Sequence, residues 1–110
     1  MIFSGEIEVS DETRTWTYII PRCIVRDTTV SFDFHGRYDG CNFTGHCIAE
    51  KLISKFIGSG QFQYEGYEPY ASKVELDINI SNNILEINGS WSEKEGKYNI
   101  HGELDRHDTH

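Results

Sequence analysis

The residues of this chain that could do chemistry are five histidines, three cysteines and eighteen carboxylates. A zinc site needs three or four ligands converging on one point. By the alternation of their segments, His35, His46 and His101 project from polar faces, with Asp33 and Cys41 as the neighbours of His46. Such proximity on one sheet face is ordinary, so no metal is expected. Cys47 falls on an apolar face beside Gly45 and Ala49 and reads as a small buried filler. His46 is next to it in the chain but points the other way on a strand, so the two make no nucleophile–base dyad. The pairs Glu6/Glu8, Glu75/Asp77 and Glu103/Asp105 are spaced by two on outward faces. Acid–base work needs a carboxyl whose surroundings shift its pKa, and nothing here implies one. No catalytic residue and no cofactor is expected, and the balance leans away from an enzyme.

The aromatic residues carry a different chemistry. Six Phe, six Tyr and two Trp make 13% of the chain. Trp16, Tyr18, Phe32, Phe34, Phe43, Phe62, Tyr64, Trp91 and Tyr98 all share the parity of the inward face. They can fill a core or line a cavity, and the polar tips of Tyr and Trp could then orient a bound molecule. Trp16, Tyr18, Phe32, Tyr64, Trp91 and Tyr98 are the expected ligand-binding residues. The segment Tyr64-Glu65-Gly66-Tyr67-Glu68-Pro69-Tyr70 reads as a Tyr-rich loop and a contact surface.

The elements that position these rings follow from a repeated phrase: apolar, any, Gly, any, apolar. It occurs as Phe3-Ser4-Gly5-Glu6-Ile7, Phe43-Thr44-Gly45-His46-Cys47, Ile87-Asn88-Gly89-Ser90-Trp91 and Ile100-His101-Gly102-Glu103-Leu104, with a looser copy at Phe56-Ile57-Gly58-Ser59-Gly60. Period two places both apolar residues and the Gly on one strand face. Gly within a strand marks a bend or a close approach of backbones. Alternating segments at roughly 2–9, 14–20, 28–35, 42–50, 55–65, 72–81, 84–92 and 97–105 predict eight strands joined by short turns. With Asn82-Asn83 as a two-residue turn, Ile80 faces Leu85, Ile78 faces Ile87, Leu76 faces Gly89 and Val74 faces Trp91. In the last hairpin Trp91 opposes Tyr98, Gly89 opposes Ile100 and Ile87 opposes Gly102. The third and fourth strands are expected to pair Phe34 with Phe43 and Phe32 with Gly45. The result is an all-β, eight-stranded antiparallel up-and-down barrel of calycin or lipocalin-like form, closed first strand to last.

One segment offers an alternative. Ile48, Ala49, Leu52, Ile53, Phe56 and Ile57 also recur at helical spacing, with Gly58 as a stop. A helix at 47–57 would give an α+β fold with that helix packed on a curved antiparallel sheet. The strand reading is preferred because both flanks match the repeated phrase, although Leu52-Ile53 makes a poor tight turn.

Gly89-Ser90-Trp91, followed by Gly96, Tyr98 and Gly102, resembles the Gly-x-Trp phrase of lipocalins and avidins. The resemblance covers about fifteen residues near the C-terminus, whereas those families carry the phrase on their first strand. It implies a barrel architecture and no site residue.

Composition narrows the function. A chain of 110 residues makes one domain, read as a barrel over 1–105 with a polar tail at 106–110. A formal net charge of -8, with ten scattered Lys and Arg, excludes the basic face of a nucleic-acid binder. No stretch approaches the ~18 apolar residues of a membrane helix, so no membrane role is expected. The three cysteines show no CxxC spacing, and Met1 to Glu6 lacks the form of a signal peptide, so free thiols in a cytoplasmic setting are expected. Two functions follow. One is a non-enzymatic barrel holding an apolar or aromatic small molecule in an aromatic-lined lumen. The other is an acidic interaction module of inhibitor or immunity type, binding a basic protein through its surface.

Overall fold

A computed structural model describes residues 1–94 and 96–107. Eight strands follow in chain order: β1 (Ile2–Ser10), β2 (Thr15–Val25), β3 (Thr29–Tyr38), β4 (Cys41–Leu52), β5 (Lys55–Tyr64), β6 (Tyr70–Ser81), β7 (Ile84–Glu93) and β8 (Gly96–Arg106). Each pairs antiparallel with its chain neighbours, and β1 pairs with β8, so the sheet closes on itself with no free edge. The described residues contain no helix.

The segment 47–57 is therefore strand, turn and strand. Its helical spacing misleads because Ile48, Leu52, Ile53 and Ile57 all face outward and are exposed. The interior there takes Cys47, Ala49 and Phe56 at strand spacing. The turn is Ile53-Ser54, with Leu52 paired to Lys55 and Ile53 at φ +60°. A β-branched residue is a poor occupant of that conformation, which is why the sequence disguises the hairpin.

The other hairpins follow their turn chemistry. Asn82 and Asn83 both have positive φ, and every pairing expected across that turn and across the last hairpin is present. Asp39 and Gly40 do the same for β3 and β4. That turn is tighter than expected, so Tyr38 pairs with Cys41, and Phe34 faces Gly45, Phe32 faces Cys47 and Gly36 faces Phe43. The register expected for this pair is corrected by two residues, which leaves the inward set unchanged because the side-chain period is two.

β2 continues past Pro21, where a strand would ordinarily stop. Its pairings with β1 and with β3 both slip by one residue around Ile20–Arg22. The bulge takes Pro21 out of the ladder and lets Cys23 and Val25 return to the interior. At the other terminus β8 runs through Arg106, and the His107 amide donates to the Ile2 carbonyl at 2.8 Å. Asp108, Thr109 and His110 lie outside the described residues.

An eight-stranded barrel is just wide enough for side chains to fill, and here they do. Trp91, Phe34, Ile87, Leu85, Leu76 and Leu104 are essentially inaccessible to solvent. Glycines make room for them. A Cβ on Gly60 would strike the Trp91 ring, and one on Gly45 would strike the Phe34 ring. Gly89 serves a different need: its neighbours are the Glu75 carbonyl and the Leu76 backbone, so it lets β6 and β7 approach.

Candidate functional site

In an up-and-down barrel successive turns alternate between the two ends. The turns at 11–14, 39–40 and 65–69 and the connection from β7 to β8 share one end, called the mouth. All six tyrosines belong to it: Tyr38 and Tyr64 end strands there, Tyr70 begins one, Tyr18 and Tyr98 lie two or three residues inside, and Tyr67 sits in the loop. Strand parity explains the convergence. Tyr98 is cross-strand to Trp91, Tyr64 to Phe43, and Tyr70 to Phe62.

The floor of the mouth is Tyr18, stacked on Phe34 at 4.9 Å between ring centroids, beside Phe43, which stacks on Phe62 at 4.9 Å. The walls are edge-to-face contacts. Trp16 meets Tyr38 and Tyr98, each at 5.6 Å, and Tyr64 meets Phe62 at 5.0 Å. Tyr70 lies 5.2 Å from Phe62. Between them is a cup of about 50 Å³, bordered by Val9 and Glu93 as well as by the rings. Glu93 Oε1 accepts a hydrogen bond from Trp91 Nε1 at 2.9 Å. A second space of about 420 Å³, here called the vestibule, shares Tyr70, Glu93 and Tyr98 with the cup and is edged also by Ala71 and Lys94.

The electrostatics of the cup are those of neutral phenols facing a carboxylate. Burial pushes the Tyr18 hydroxyl far above its ordinary value, and the charge of Glu93 adds to the shift. Tyr70 is raised by the same two causes in the same order. Tyr64 is raised by burial, then by Tyr38 and Glu93. These hydroxyls stay protonated at neutral pH. Outside the rings Arg14 lies 5.1 Å from the centre of Trp16 and 5.6 Å from that of Tyr38, and its Nη1 donates to the Tyr38 hydroxyl.

Of the six residues expected to bind a ligand, Trp16, Tyr18, Tyr64 and Tyr98 border the cup. Phe32 and Trp91 lie deeper, 2% and 1% exposed, as part of the packed interior. Sequence reasoning places Tyr70 in the Tyr-rich contact loop, not among the ligand-binding rings, and does not single out Glu93. Both carried a signal: Tyr70 shares parity with Ser72 and Val74, and Glu93 with Trp91, but each stood in a segment that read as loop or turn.

The other candidates stay apart. His46 Nδ1 and Asp33 Oδ1 are 2.6 Å apart on the outer face, and His101 Nδ1 is 2.6 Å from Asn88 Oδ1. Among the described residues no three His, Cys, Asp or Glu converge as metal ligands would. Burial raises the thiols of Cys23 and Cys47 to about 12, which leaves them inert as nucleophiles. Glu75 and Asp77 share Lys55, at 3.2 and 3.7 Å. Glu6 and Glu86 lie on either side of Glu103 across the β1–β8 and β7–β8 pairings. No family model, curated protein or solved structure matches the chain.

Proposed function

We propose that this barrel is a non-enzymatic binding protein that receives a small apolar or aromatic group in the cup at its mouth. One observation carries the reading: rings from five strands converge on one small space, in a barrel otherwise filled. Pockets for whole drug-sized ligands run to about 300–1,000 Å³. A cup of about 50 Å³ suits the end of a molecule, a group of a few heavy atoms whose remainder lies in the vestibule. The expected lumen site thus becomes a site at the rim.

A fragment titration followed by amide and indole NMR tests this. Saturable shifts confined to Trp16, Tyr64, Tyr70 and Tyr98, and lost in Trp16→Ala, are the expected result. Shifts clustered at the opposite end, or none that saturate, would remove the cup from consideration.

The acidic rim favours a second reading, a basic protein partner. The turns at 11–14, 39–40 and 65–69 hold Asp11, Glu12, Asp39, Glu65 and Glu68 against Arg14 alone. Such association would weaken as salt rises. The three free thiols support a cytoplasmic setting for either reading.

A further inference from the structure

Glu93 gives the cup an electrostatic sign. The other eight residues bordering the cup are uncharged, and most are aromatic. The faces of Trp and Tyr rings are the negative part of their quadrupoles and attract cations. Phenol oxygens add acceptor sites. A carboxylate among such groups repels an anion and adds nothing to what a neutral group gains from its contact with the rings. A cation gains from the ring faces, the phenol oxygens and Glu93 together. The barrel already uses part of this chemistry, since Arg14 sits over Trp16 and Tyr38.

Size and hydrogen bonding narrow the cation. A primary ammonium carries three N–H donors that must be satisfied when it leaves water. Glu93, Tyr64 and Tyr70 border one space, and a carboxylate and two phenol oxygens are the kinds of acceptor that suit them. A quaternary ammonium could use none of these acceptors as a hydrogen-bond donor. It is also bulkier, and the cup measures only about 50 Å³. A guanidinium is planar and wider. We infer that the mouth of the barrel binds a primary alkylammonium group, with the nitrogen held at Glu93 and the adjoining methylenes against the rings of Trp16 and Tyr98. This rests on the cup being the binding site proposed above. Two sources share the chemistry, a free small amine and the side chain of a lysine on another protein.

Arg14, Arg37, Lys94 and Lys97 are cations near this end, and they oppose the entry of another. Their removal should therefore strengthen binding, an effect that a purely hydrophobic site would not show.

The test is a titration of the whole chain with n-butylammonium, 1-butanol and tetramethylammonium at neutral pH, read on the indole N–H resonances of Trp16 and Trp91. Trp16 borders the cup and Trp91 reports on Glu93 through its hydrogen bond. The expected result is saturable movement of both resonances by butylammonium, with the other two probes at least about tenfold weaker, because charged hydrogen bonds are lost. Glu93→Gln keeps an acceptor for Trp91 and removes the charge, so it should weaken butylammonium by about tenfold or more and leave butanol unchanged. Arg14→Gln should tighten butylammonium a few-fold, and it keeps the proposal testable if the Glu93 variant does not fold. Equal binding of butanol and butylammonium would overturn the ammonium inference while leaving the cup as a site. No saturable shift with any probe would overturn both. A blocked lysine peptide run beside butylammonium separates the sources: markedly tighter binding assigns the group to a protein partner, and equal binding assigns it to a free amine.

Discussion

The two ends of this barrel are built from the same strands but not from the same residues. The mouth holds all six tyrosines, Trp16 and a border carboxylate, and it leaves a cup. The opposite end has no tyrosine and is closed by Phe3, Val25, Val30 and Ala49, each 5% exposed or less. Its β4–β5 hairpin instead carries bare aliphatic groups, Leu52 at 61% and Ile53 at 92% exposure. Burying side chains that have no polar tip is the cheaper way to close a barrel. The mouth departs from it, and the departure is what suggests recognition there. The expected division is that the middle and far end supply most of the stability, which frees the mouth to hold groups that packing alone would not select.

The largest test of that division is a pair of tryptophan truncations. Trp91→Ala should cost about 3–5 kcal/mol, because a fully buried ring is removed from a packed layer. Trp16→Ala should cost about 1–2 kcal/mol, since that ring is half-buried and edged by neighbours that can shift. Urea denaturation of both variants measures the gap. Equal losses would mean that the mouth is core by another name.

A second test uses alkaline pH. Cys23 and Cys47 are raised to about 12 from an ordinary value of 9.0, and Tyr18 is raised further still. Groups raised by folding contribute stability that is complete below their unfolded values and is lost as pH rises toward the folded ones. Stability should thus hold to about pH 9 and then fall, by roughly 1.4 kcal/mol per pH unit for each group that ionises only in the unfolded chain. Replacing both thiols, as in Cys23→Ala with Cys47→Ala, should flatten the onset near pH 9–10. If the onset is unmoved by that change, the thiols are not the groups responsible.

A smaller effect is expected at the far end. Ile53→Gly relieves a β-branched residue held at positive φ and should stabilise the hairpin by about 0.5–1 kcal/mol, a gain reduced by the entropy of Gly. A loss of stability instead would show that Ile53 contributes contacts its exposure conceals. The smallest effect belongs to the wall between the ends. Glu103→Lys replaces repulsion with attraction toward Glu6 and Glu86, and should raise stability by about 0.5 kcal/mol at low salt and less at high salt.

Much of the wall was legible in the sequence, because a strand's period is short and each hairpin constrains its neighbour. Ile78, Ile80, Leu85 and Ile87 state their register through two asparagines that accept positive φ. The segment around Ile53 was less legible, since four outward aliphatic residues imitate a helix face and no Gly or Asn announces the turn. The bulge at Pro21 hid half of β2 for a similar reason: a proline argues against a strand, and only pairing on both sides shows that the extra residue absorbs it. At the mouth, parity identified the rings of Trp16, Tyr18, Tyr64 and Tyr98. Depth along the barrel axis is not encoded in parity, so the buried rings of Phe32 and Trp91 carry the same sequence signal as those at the mouth. Glu93 was hidden by its type, since a carboxylate beside a turn is usually solvated.

The seam between β1 and β8 differs in kind from the other seven. Each of those joins strands linked by a short turn, so its pairing is local. The eighth brings Phe3 to Arg106 across nearly the whole chain. By loop-closure entropy that encounter is about 3 kcal/mol costlier than closing a hairpin. Until it forms, both edge strands expose unpaired backbone and the layer around Trp91 lacks one wall. Closing that seam seals the core, so native-state hydrogen exchange is expected to show amides of β1 and β8 exchanging through a shared opening.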